Sequence, residues 1–88
     1  MLIIDQTRQL AVNSEQFVTL YIEKRTCSIK ARLAVGGEGG GAVVTLGSYL
    51  NIDICNKVFS YLCKRAINSY HYYELPATKE EIDFYNTQ

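Results

Sequence analysis

Ser28-Ile29-Lys30-Ala31-Arg32-Leu33-Ala34-Val35, the glycine cluster Gly36-Gly37-Glu38-Gly39-Gly40-Gly41, and Ala42-Val43-Val44-Thr45-Leu46-Gly47 are the stretch from which the fold is read. Ile29, Ala31, Leu33 and Val35 alternate with Ser28, Lys30, Arg32 and Ala34, and Val44 and Leu46 oppose Val43 and Thr45. A period of two places such residues on opposite faces of a strand. Two such runs around a glycine cluster predict a β-hairpin with a flexible tip. Working upstream, residues 17–25 alternate too: Val18, Leu20 and Ile22 on one face, Phe17, Thr19, Tyr21 and Glu23 on the other. Three strands sharing one apolar face require a cover.

The cover follows directly. Asn51 suits an N-cap, Asp53 lies in the first turn, and Cys55, Val58, Phe59, Leu62 and Ala66 recur at spacings of three and four. Lys57, Lys64 and Arg65 fall off that stripe, so residues 51–68 read as one amphipathic helix. Beyond it, Tyr70-His71-Tyr72-Tyr73-Glu74-Leu75 reads as a final strand or an extended arm stopped by Pro76, and Thr78-Lys79-Glu80-Glu81 matches a capping box. At the other end, Leu2-Ile3-Ile4 and Leu10-Ala11-Val12 are short strands around the polar turn of residues 5–9. The predicted fold is α+β. An antiparallel sheet of four or five strands (residues 2–47) carries one helix (51–68) on one face, then a strand or arm (70–75) and a short helical tail (78–86), all in a single domain spanning 1–88.

Composition narrows the function classes. Formal charge is zero, but residues 1–70 hold eight Lys/Arg against five Asp/Glu, and residues 71–88 hold one lysine against four acids. Such a balance lacks the basic footprint of sequence-independent nucleic-acid binding. Three cysteines fit poorly with a secreted disulfide framework, and Cys55 and Cys63 on one helix lie roughly 12 Å apart along its axis. Reduced thiols in a cytosolic protein are the expectation. The apolar start is broken at Asp5, so no signal peptide is expected, and no apolar run approaches the ~20 residues of a bilayer span.

The glycine cluster lacks the Lys-Ser/Thr ending of a P-loop and precedes a strand instead of a helix. His71 is the sole histidine, with Cys27 and Ser69 as nucleophile partners only by residue type, and no Cys or His pair has metal-ligand spacing. No catalytic residue, metal or cofactor is predicted, and the chain reads as a binding protein. The outer face of the sheet is the first candidate surface: Phe17, Thr19 and Tyr21 beside Lys30 and Arg32, aromatics flanked by cations suited to a ring with phosphate or carboxylate. The second is Tyr70, Tyr72 and Tyr73, which suit the interface of a homo-oligomer.

One resemblance spans nearly the whole chain up to Pro76. Leu46-Gly47-x-Tyr49 followed by the cap Asn51, the segment Tyr72-Tyr73-Glu74-Leu75-Pro76, and the opening strand, polar turn and Leu10-Ala11-Val12-Asn13 together resemble small prophage-encoded proteins of Gram-positive bacteria. Their hairpin tip is usually of Asn-Asp-Gly type, whereas this one is glycine-rich. The resemblance implies a phage accessory gene expressed in the bacterial host cytoplasm. It implies a product acting by binding, and the reading taken is an anti-CRISPR-like inhibitor of a host defence effector, with a sponge for a nucleotide immune signal and a phage structural or assembly protein as the alternatives.

Overall fold

In the computed structural model, which describes residues 1–34 and 41–87, six strands and two α-helices follow one another as β1 (Leu2–Ile4), β2 (Ala11–Asn13), β3 (Phe17–Glu23), β4 (Ser28–Leu33), β5 (Val43–Ser48), α1 (Ile52–Ile67), β6 (Tyr72–Glu74) and α2 (Lys79–Asn86). The fold is α+β, as the sequence pattern predicts. The expected glycine tip at 36–40 lies outside the described residues. Gly41 is described, and a Cβ there would run into the Leu33 carbonyl.

The strands form two three-stranded sheets where one sheet of four or five was expected. One has the order β3-β4-β5 and is antiparallel; the other has the order β2-β1-β6, with β1 antiparallel to β2 and parallel to β6. The reason is visible at β1. Its two edges are filled by β2 and β6, leaving nothing to pair with β5. The sheets meet instead through Gln6: its backbone N–H donates to Leu46 O (2.7 Å), and its side-chain Oε1 accepts from Ser48 N (2.9 Å). The parallel pairing arises because α1 carries the chain back across the core, returning β6 alongside β1 in the same direction.

A β-bulge corrects the predicted facing of β3. Phe17 pairs with Leu33 and Thr19 with Arg32, so Val18 is the extra residue. Phe17 therefore packs against the core with Leu20 and Ile22, while Val18, expected inside, is 64% exposed. The core draws on both sheets: Ile3 and Tyr73 from one, Ile29, Ala31 and Leu46 from the other, closed by Ile54, Cys55, Val58 and Leu62 of α1. Burying each large aliphatic contributes about 1.5–3 kcal/mol. Ala66, expected on the buried stripe, is exposed.

Both helix starts follow the sequence signals. Asn51 accepts from Ile54 N (2.9 Å), and Thr78 and Glu81 complete the reciprocal capping box. The α1 terminus is a Schellman motif: Tyr70 N donates to Arg65 O (3.1 Å) and Ser69 N to Ala66 O (3.4 Å), with Ser69 in the left-handed region at φ 59°. Among the described residues no helix is long and apolar enough to cross a membrane.

Candidate functional site

The outer face of the β3-β4-β5 sheet holds only part of the constellation predicted for it. Thr19 stands opposite Arg32, and Tyr21 opposite Lys30, as the alternation requires. Phe17 is lost to the inner side by the bulge, and Lys30 Nζ lies 2.9 Å from Glu23 Oε2. The Lys30 hydrogen bond, helped by Thr26, holds the Glu23 carboxyl below its usual range. Lys30 is thus already matched by a carboxylate, and Arg32 alone remains as an exposed cation beside Thr19 and Tyr21.

The tyrosine segment builds a more defined surface. Tyr70 and Tyr72 are 49% and 57% exposed, in keeping with a surface role. Tyr73 departs from that prediction. It is only 4% exposed, and its hydroxyl bonds that of Tyr85 on α2 at 2.5 Å, so it belongs to the core. Burial, with the Tyr85 hydrogen bond second, pushes the Tyr73 phenol far above its usual value. Alternation along β6 explains the split: Tyr72 and Glu74 point out where Tyr73 points in.

Around these residues lies an open groove of about 520 Å³, lined by Arg65, Tyr70, His71, Tyr72, Tyr73, Glu74 and Tyr85. Arg65 is its basic element. The guanidinium sits 4.5 Å from the Tyr70 ring centroid and 5.7 Å from that of Tyr73, and it makes no ion pair among the described residues. The Schellman turn brings Tyr70 back over the last turn of α1 and onto Arg65. The sequence pattern placed Arg65 only off the apolar stripe of the helix. The stack becomes legible once Ser69 is recognised as the left-handed residue.

Beyond Tyr85 the apolar surface continues. Phe84 is 55% exposed and packs edge-on to Tyr85 (5.4 Å), while Tyr61 of α1 meets Tyr85 at 4.9 Å. A second hollow of about 260 Å³, lined by Glu74, Pro76, Glu81, Phe84 and Tyr85, adjoins the first. Hydrogen bonds tie both sides of its floor to the body of the fold. Tyr49 Oη donates to Pro76 O (3.1 Å), and Arg8, in the left-handed region at φ 63°, reaches across from the β1–β2 turn. Arg8 Nη1 donates to Leu75 O (2.6 Å), and Nη2 lies 3.2 Å from Glu81 and 3.5 Å from Glu74. Nothing in local sequence marks Arg8 for this role: its guanidinium also donates to Asp5 O (3.2 Å), but Glu74, Leu75 and Glu81 lie 66 to 73 residues away.

Asp5 anchors the same turn. Its burial pushes the carboxyl up, but hydrogen bonds from Thr7 (2.6 Å), Leu10 N (3.0 Å) and Gln9 N (3.1 Å) outweigh that and hold it below the usual range. Cys27, Cys55 and Cys63 are free thiols, and burial, with a lesser effect of Cys27, pushes Cys55 up to about 11. Cys55 stays protonated at neutral pH and packs as a small apolar residue, as expected. His71 lies exposed at the groove mouth. Among the described residues no group of three or more His, Cys, Asp or Glu is placed to hold a metal ion. No family model, curated protein or solved structure matches the chain.

Proposed function

We propose that this chain is a non-catalytic phage or prophage accessory protein that works by binding, and that its target is a bacterial immune effector in the host cytoplasm. The observation that carries the binding part is the groove: exposed Tyr70 and Tyr72 around Arg65, continued by Phe84, on a floor fixed by core hydrogen bonds. Tyrosine and arginine are the side chains that dominate the energetics of protein interfaces, and fixed aromatics lose little entropy on docking. The counter-defence setting rests on the likeness to small prophage-encoded proteins.

The test is expression of the chain in bacteria that each carry one defence system, followed by phage challenge. Restored phage growth under one system, with a stoichiometric complex between the purified chain and that system's effector, is the expected result. Arg65→Ala and Tyr70→Ala should abolish both effects, whereas Tyr21→Ala on the other sheet should leave them intact. Restored growth with no complex, but with thermal stabilisation of the chain by a nucleotide signal, would transfer the reading to a sponge. Co-assembly with virion components and no effect on any defence system would refute the counter-defence reading in favour of an assembly role.

A further inference from the structure

We infer that a second copy of this chain pairs with the free edge of β6, joining two three-stranded sheets into one of six strands about a two-fold axis. The backbone of β6 points to this. Leu2 N donates to His71 O (2.8 Å) and Leu75 N to Ile4 O (3.0 Å), in the parallel register Leu2↔Tyr72, Ile3↔Tyr73 and Ile4↔Glu74. In that register residues 71, 73 and 75 turn their backbone groups to β1, and Tyr72 and Glu74 turn theirs outward. By that register Tyr72 and Glu74 make no ladder bond to β1, and no turn or loop backbone bond reaches them among the described residues.

Antiparallel pairing centred on Tyr73 sets Tyr72 of one copy opposite Glu74 of the other. Each such pair exchanges two N–H to carbonyl bonds, and the two-fold axis repeats it, so all the outward groups of both residues are satisfied at once.

The other edges are protected in ways that this one is not. The bulge at Val18 interrupts β3, Gln6 occupies the β5 edge, and β2 turns at once into a 3-10 helix at Ser14–Gln16. Strand β6 is short and carries Glu74, but it has no lysine, proline or bulge. The outer face that would become continuous is apolar on β1, where Leu2 is exposed and Ile4 is half-buried outside the core cluster.

The inference shares Tyr72 and Glu74 with the groove but does not rest on the effector reading, because its test uses the chain alone. Sedimentation equilibrium of the purified protein over a wide concentration range should show a monomer–dimer equilibrium. Glu74→Pro removes an outward N–H and spares the β1 ladder, so it should weaken the dimer about tenfold or more, whereas Glu74→Ala, which keeps the N–H, should change it little. Hydrogen exchange on the unmodified chain supplies a readout independent of variants: the Tyr72 and Glu74 amides should gain protection as concentration rises. A strict monomer, a dimer indifferent to Glu74→Pro, or those amides exchanging freely in the dimer would each overturn the inference.

Discussion

Replacing Ser69 by glycine should stabilise this protein, although it deletes a hydroxyl and adds no contact. Ser69 occupies the left-handed position of the α1 Schellman motif at φ 59°. A non-glycine residue there suffers a clash of Cβ with its own backbone, costing about 1–2 kcal/mol. Glycine avoids that clash but has more freedom to lose on folding, about 0.5–1 kcal/mol. The difference leaves a net gain of about 0.5–1 kcal/mol, or a rise in Tm of about 2–8 °C for a chain of this size. Ser69→Ala keeps the Cβ and the clash, so it should melt close to the parent. Paired thermal and urea melts of the parent, the glycine variant and the alanine variant measure both differences. Equal melting of the glycine and alanine variants, or a glycine variant less stable than the parent, would refute the left-handed cap. It would also remove the turn that seats Tyr70 on Arg65.

Three further outcomes are expected. Tyr73→Phe leaves the buried Tyr85 hydroxyl without its partner and should cost about 1–2 kcal/mol, and adding Tyr85→Phe should cost less than the sum of the two single changes in a double-mutant cycle. Arg8→Ala should cost about 1–2 kcal/mol by urea unfolding, and most of the loss should survive high salt, because the 2.6 Å bond to Leu75 O is screened less than the exposed pairs to Glu74 and Glu81. The Asp5 and Glu81 carboxyls lie lower in the folded chain than in the unfolded one, so their stabilisation is complete above the unfolded carboxylate range and is lost as pH falls through the folded values. Asp5→Asn should therefore flatten the acid limb of a stability–pH profile, and an unchanged limb would exclude that carboxylate as its source.

Much of the local structure was legible from neighbouring residues alone. The alternation in residues 28–33 and 43–47, the Asn51 cap and the Thr78–Glu81 box each depend on groups a few positions apart, and among the described residues each element formed on that pattern. The bulge at Val18 escaped that reading because a period of two carries no mark of an inserted residue. One unsignalled residue turned Phe17 from the candidate surface to the core. Arg32 remained on the predicted face, but the Lys30–Glu23 pair took up its neighbour's charge.

The sequence by itself determined the class of fold, the covering helix and the tyrosine-rich character of the segment after it. These follow from short-range periodicity and capping chemistry, which act before any distant contact forms. Only the tertiary structure decided that β1 pairs with β6, that two sheets form in place of one, and that Arg65, Tyr70 and Tyr85 share a groove. Those outcomes join residues up to about 70 positions apart. They are selected by which apolar faces can be buried together, and local patterning does not encode that choice.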